Sequence, residues 1–217
     1  MKDSTAKKIS ELIERYPALE ICRGDLTLAV EKICAAFAAG NKLITCGNGG
    51  SAADALHIVG ELMKGFALPR RLEDFNADFL KTAEKLFPND AEYFKKNLQC
   101  ALPALSLVGE TALTTAFAND QAPDLAFAQQ LFGIGKRGDI LLAISTSGNS
   151  ANVIYAVEVA KILGVASIAL TGRSGGKLKN LADIVICVPS DTTFKIQEFH
   201  LPIYHMLCLA AEAEFFQ

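Results

Sequence analysis

CGNGGSAADALHIVGE, from Cys46 to Glu61, decides the fold of this chain, and AISTSGNSANVI, from Ala143 to Ile154, repeats its logic. Each stretch opens on an apolar strand-like run, turns through a short Gly/Ser/Asn loop and enters an amphipathic helical pattern. A strand that feeds such a loop at a helix start gathers unpaired N–H groups, hydroxyls and the positive end of the helix dipole around one point. Such a point binds an anion, most often a phosphate. In the first loop Gly47, Asn48, Gly49 and Gly50 let the backbone approach a ligand, with Ser51 near the helix cap. In the second, Ser145, Thr146, Ser147 and Ser150 place four hydroxyls within six residues. Helix caps use single hydroxyls routinely; four of them with a glycine point to phosphate.

Outward from these loops the chain alternates. Ile9, Leu12 and Ile13 predict a short helix that stops before Pro17, and Leu26, Val30, Ile33, Cys34 and Phe37 mark one face of a helix across residues 19–39. Apolar strand-like runs follow at 43–45, 104–108, 140–144, 166–170 and 184–188, mostly separated by helical stretches, which predicts βαβ units and a parallel sheet. A long helical segment over 193–216 closes the chain, and Pro202 should kink or restart it. Residues 65–99 are more charged and break the rhythm; two short helices interrupted at Pro88–Asn89–Asp90 are expected there, as a helical insertion rather than a domain. The expectation is one α/β domain over 1–217, with N-terminal helices over about 1–40.

Composition narrows the function classes. With 217 residues, 51% of them hydrophobic, the chain can bury a sizeable core. A net charge of −3 argues against sequence-independent nucleic-acid binding. Lys64, Arg70 and Arg71, followed at once by Glu73 and Asp74, read as a solvated surface turn. The six cysteines are scattered without a CxxC, so buried free thiols in a reducing compartment are expected rather than a zinc ribbon. The N-terminus is too charged for a signal peptide and no apolar run is long enough for a membrane span, which predicts a soluble cytoplasmic protein. Gly47-x-Gly49-x-x-Ala52 fits a loose dinucleotide fingerprint, but Glu73 and Asp74, at the distance where its acidic partner belongs, follow no strand. GxxxxGK[ST] is absent, and no nucleotide cofactor is expected.

There are three histidines. His57 and Glu61, four residues apart, share a helix face. Such a pair is commonly a surface contact, but just past a phosphate-type loop it is a candidate for proton transfer or metal binding. His200 and His205 fall in QEFHLPIYH, from Gln197 to His205; His200 reads as a packing residue.

GNGGSAADALH, ANDQ, AISTSGNSANVI and IQEFHLPIYH together resemble the sugar isomerase (SIS) domain family, in its phosphoheptose isomerase branch, over nearly the whole chain except about 65–99. The resemblance implies a five-stranded parallel sheet flanked by helices, a homotetramer with sites shared between subunits, and aldose–ketose isomerisation of sedoheptulose 7-phosphate through an enediolate. It places the sugar phosphate on Asn48, Gly49, Gly50, Ser51, Asn119, Asp120, Ser145, Thr146, Ser147 and Ser150, with Glu61 and Gln197 also reaching the substrate. It makes Glu61 and His205 the acid/base pair, and gives His57, Glu61, Gln197 and His205 to a zinc ion held by some members. Glu61 can serve as the carbon base if partial desolvation on the helix face raises its pKa. The alternative is a non-catalytic SIS protein that binds a phosphosugar or a partner protein as a regulator or assembly factor. The presence of both Glu61 and His205 favours the enzyme. A straight helix separates Gln197 from His205 by about 12 Å along its axis, which sets the zinc assignment against the geometry unless subunits share it.

Overall fold

The computed structural model of the protein describes residues 1–217. Helix α1 (Asp3–Arg15) buries Ile9, Leu12 and Ile13 and ends before Pro17, as its pattern requires. The second predicted helix divides: a 3-10 turn spans Pro17–Cys22, and α2 (Arg23–Ala38) carries the predicted Leu26–Phe37 face. Strand β1 (Leu43–Gly47) leads through the first loop into α3 (Gly50–Leu62). Residues 65–99 form three helices rather than two, α4 (Leu72–Phe75), α5 (Ala77–Leu86) and α6 (Ala91–Asn97). The extra division falls at Asn76, whose side chain accepts the Phe79 N–H at 3.3 Å and caps α5; the break at Pro88 is where the sequence put it. Then come β2 (Ala104–Ser106), α7 (Thr111–Asp120), α8 (Ala126–Ile134), β3 (Ile140–Ile144), α9 (Ala151–Leu163), β4 (Ala166–Thr171), β5 (Ile184–Cys187) and α10 (Thr193–Phe216).

The five strands pair in parallel in the order β2-β1-β3-β4-β5. Ile140, Leu142 and Ile144 point into a core shared with α1, α2, α3 and α10, while Leu141 and Ala143 point into a second core under α8 and α9. Burial on both faces explains why β3 is an unbroken apolar run rather than an alternating one. The strand order reverses between β1 and β3. In open α/β sheets the loops diverge at such a point and leave a crevice beyond the carboxyl ends of the strands. Both Gly/Ser loops lie there.

Two elements depart from expectation. Helix α10 runs unbroken through Pro202. The carbonyl that proline deprives of its partner belongs to Glu198, an exposed residue, so water can satisfy it, and Pro202 itself is buried in the packing. Arg70 is not in a solvated turn; it is fully buried and paired with Glu212 of α10, Nε to Oε1 at 2.8 Å. No helix is long and apolar enough to cross a membrane.

Candidate active site

Three helices begin at the crevice. Gly50 and Ser51 open α3, Ser150 precedes α9, and Thr193 and Gln197 lie in the first turns of α10. With Asn48, Gly49, Ile144, Ser145 and Thr146 they line a cavity of about 330 Å³. No Lys or Arg is among them, so an anion would be held by amides, hydroxyls and helix ends alone. The two loops are tied to one another. Asn48 and Asn152 exchange amide hydrogen bonds at 2.8 and 2.9 Å, and the Ser145 and Ser150 hydroxyls meet at 3.0 Å. A Cβ at Gly50 would displace the Gln197 amide, so the glycine lets that side chain lie against the loop. Gly148 has φ +64 and lies so close to the Gly175 carbonyl that no side chain fits.

Further along α3 and α10 a second group forms. His57 Nε2 lies 3.0 Å from Glu61 Oε1, and Lys64 Nζ donates to Glu61 Oε2 at 3.0 Å. The His57 and His205 rings meet edge to face with centroids 5.1 Å apart. Burial pushes the Glu61 carboxyl up, but Lys64 and His57 together outweigh it and hold the group below the usual carboxylate range. The expected rise in its pKa is therefore corrected: Glu61 is a carboxylate kept ionised by two donors. Burial and the neighbouring His57 hold the His205 imidazole below its ordinary value. Its Nε2 is buried with no hydrogen-bond partner.

This second group rests on the pair buried behind it. Arg70 Nη1 and Nη2 donate to the carbonyls of Leu62 and Glu61 at 2.6 and 3.2 Å, closing the C-terminal end of α3. The Glu212 carboxylate accepts the N–H groups of Phe66, Ala67 and Leu68 as well as Arg70 Nε. Glu212 is two turns beyond His205 on α10, so one buried ion pair fixes the ends of both helices that carry the group.

A phosphoheptose isomerase from Akkermansia muciniphila is 36% identical over 217 residues, covering 100% of this chain and 99% of that one. The chain belongs to the phosphoheptose isomerase family. A probable phosphoheptose isomerase from Thermoplasma acidophilum is 40% identical over 185 residues, 85% of this chain and 86% of the other. The structure of the Neisseria gonorrhoeae phosphoheptose isomerase superposes with a TM-score of 0.72 at 32% identity, covering 94% of each chain. The SIS domain profile matches residues 80–172. Because the Akkermansia alignment covers the whole chain, the 65–99 segment does not set this protein outside the phosphoheptose isomerases.

For this phosphoheptose isomerase family member the structure sorts the site residues expected from sequence into groups. Asn48, Gly49, Gly50, Ser51, Ser145, Thr146, Ser150 and Gln197 share the cavity, and His57, Glu61 and His205 form the second group. Ser147 is outside the lining, at the exposed loop tip, where its hydroxyl accepts the Asn149 N–H at 3.1 Å. Asn119 and Asp120 also lie apart, bonded to each other at 2.8 Å on the exposed end of α7. The four residues assigned to zinc do not assemble into a metal centre in this chain. No group of three or more His, Cys, Asp or Glu side chains is arranged around an ion position. Both ring nitrogens of His57 already face oxygens, and Gln197 faces the other cavity. The sequence reading missed Lys64, Asn152, Tyr204, Arg70 and Glu212. Neither long-range pair announces itself: Asn48 stands before α3 while Asn152 lies in the first turn of α9, and 142 residues separate Arg70 from Glu212.

Proposed function

We propose that this protein isomerises sedoheptulose 7-phosphate to the corresponding aldose heptose 7-phosphate. Membership of the phosphoheptose isomerase family and the three-helix cavity both support this reading. The observation that carries it is Glu61, ionised between Lys64 and His57 and next to a neutral imidazole at His205. A carboxylate of that kind takes a proton from C1 of the ketose, the electron pair moves into a C1–C2 double bond, and the enediolate results. Return of the proton at C2 gives the aldose. His205 shuttles the proton between the two oxygens, for which an imidazole near neutrality is suited. Lys64 offers positive charge near the developing enediolate. The helix-end cavity anchors the phosphate and so positions the reacting end.

The two groups lie about 12 Å apart along α10 within one subunit, judged from the Gln197-to-His205 spacing. His205 also lines a cleft of about 160 Å³ with Lys8, Glu11, Arg15 and Tyr16, on the side of α1. Both features support a homotetramer in which one subunit's acid/base group completes the phosphate cavity of another. A zinc ion among His57, Glu61, Gln197 and His205 would equally need donors from more than one subunit. Six free cysteines support a reducing, cytoplasmic setting.

Incubation with sedoheptulose 7-phosphate in heavy water, followed by NMR, tests the reading. The expected product is the aldose 7-phosphate with deuterium at C2. Binding of the ketose without conversion would replace this reading with that of a phosphosugar-binding regulator.

A further inference from the structure

The helix-start cavity offers donors without a cationic side chain, and such a cavity holds an anion only if its N–H groups face in and its carbonyls are used elsewhere. Along the second loop the carbonyls are all taken. Gly148 N–H donates to the Ser145 carbonyl at 3.0 Å, Gly172 N–H to that of Thr146 at 3.0 Å, and Leu178 N–H to that of Gly148 at 3.1 Å. The Ser147 carbonyl accepts from the side chain of Asn149, Nδ2 at 3.0 Å. The N–H groups of Thr146 and Ser150, two residues that line the cavity, meet no protein acceptor. We propose that Asn149 is a positioning residue for this loop: its carboxamide joins the Ser147 carbonyl to the Lys177 N–H, straps the loop to the turn at 172–178 and keeps those free N–H groups at the cavity.

Two backbones meet closely at this point. A Cβ on Gly148 would collide with the Gly175 carbonyl, and one on Gly176 with the Ser147 carbonyl. Only glycine allows that approach, with φ +64 at Gly148 and φ +53 at Gly176, but glycine also leaves the chain free to turn. Asn149 supplies the restraint. Its Oδ1 accepts the Lys177 N–H at 3.0 Å while its Nδ2 holds the Ser147 carbonyl, so one carboxamide serves both turns. The other ties between them are main chain to main chain, which makes Asn149 the side chain through which the strap can be cut. It is exposed and outside the cavity lining, so it acts on an anion through the loop and not by contact.

Without the carboxamide, the Ser147 carbonyl and the Lys177 N–H turn to water and the loop is held to the 172–178 turn at Thr146 and Gly148 alone. The Thr146 and Ser150 donors stand on either side of the freed tip. Their spacing then varies, and part of the binding free energy goes into restoring it when an anion arrives. The loss falls on binding of the phosphate end, equally in ground and transition states, so KM rises and kcat holds.

The effects on phosphate binding and on KM rest on the function proposed for the cavity; the strap itself does not. The test compares wild type with Asn149→Ala by calorimetry with inorganic phosphate, steady-state turnover of sedoheptulose 7-phosphate, thermal melting and amide hydrogen exchange. Asn149→Ala should weaken phosphate binding and raise KM about tenfold, the scale of two lost hydrogen bonds, with kcat within about twofold and the melting temperature held. Exchange should quicken across 145–150 and 172–178 and nowhere else. A second pair isolates the other end of the strap: Lys177→Pro should bind phosphate about threefold more weakly than Lys177→Ala, since both lose the ammonium and only the first loses the N–H. Wild-type affinity or wild-type exchange in Asn149→Ala overturns the proposal, as does equal affinity in the Lys177 pair. Faster exchange over the whole chain with a lowered melting temperature would make Asn149 a residue of general stability and overturn it as well. If wild type binds no phosphate, the cavity reading fails, and exchange across the two turns in Asn149→Ala alone decides whether Asn149 holds the loop.

Discussion

The helix-start cavity and the Glu61 group share α3 and α10 and are built in opposite ways. The cavity is made of backbone, hydroxyls and carboxamides at three helix starts, without one cationic side chain. Each of its loops is fixed locally, by the strand before it and the helix after it, and the long-range part is the Asn48–Asn152 tie, the Asn149–Lys177 tie and the start of α10. The Glu61 group is made of side chains two to three turns further along, each aimed by another: Glu61 by His57 and Lys64, His57 by Tyr204, both helix ends by Arg70 and Glu212. A site that only holds an anion can be specified by the chain's path. A site that moves protons, as proposed for Glu61 and His205, needs ionisable groups at set distances, and this fold fixes the helix ends carrying them with a charge pair buried behind.

That contrast can be broken most readily at the buried pair. Glu212→Ala leaves the Arg70 charge and three backbone N–H groups without an acceptor, and should cost about 3–5 kcal/mol of stability in urea unfolding. Replacing both members with apolar side chains, Arg70→Met with Glu212→Leu, should recover much of that loss while disturbing turnover. A cost for Glu212→Ala within the range of a surface substitution would show that the pair does not carry the Glu61 group.

His200, on α10 between the two groups, sharpens the comparison through pH. It is fully buried, neither ring nitrogen has a partner, and burial pushes its pKa down to about 4; the Thr171 backbone opposes that only weakly, outside hydrogen-bond geometry. Its folded pKa is below the unfolded value of 6.5, so the unfolded chain takes up a proton that the folded one refuses. Stability from this residue is complete above about pH 6.5 and falls as pH drops toward 4, by about 3 kcal/mol in all. Urea titrations across that window should show the slope in wild type and its absence in His200→Phe. A smaller effect is expected at the cavity, where Ser150→Ala should weaken phosphosugar affinity about three- to tenfold by calorimetry. Ser147→Ala, at the exposed tip, should weaken it less, and the reverse order would put the phosphate outside the cavity.

The same contrast explains what the sequence revealed. Five apolar runs, Pro17, Pro88 and the two Gly/Ser loops mark strands, helix ends and the helix-start cavity through local signals, and all five strands lie where those runs predict. The surroundings of Glu61 were not legible, because Lys64 looks like a surface lysine and Tyr204 like one more apolar-face residue. Arg70 looked like part of a solvated turn because its partner lies on the last helix, and no local pattern announces a buried pair of that separation. The raised pKa expected for Glu61 failed for the same reason: burial was foreseeable, the two donors that outweigh it were not. Pro202 misled in the other direction, since its freed carbonyl falls on an exposed residue and the helix continues.

The central claim is that holding the phosphosugar and converting it belong to separate parts of the chain. Turnover of sedoheptulose 7-phosphate and its affinity by calorimetry, measured together on wild type and Glu61→Gln, test that claim most directly. The account predicts a fall in turnover of about a thousandfold for Glu61→Gln, with affinity kept within about threefold, since the change is nearly isosteric and removes only the base. Near-normal turnover in Glu61→Gln, or loss of affinity in step with loss of turnover, would contradict it.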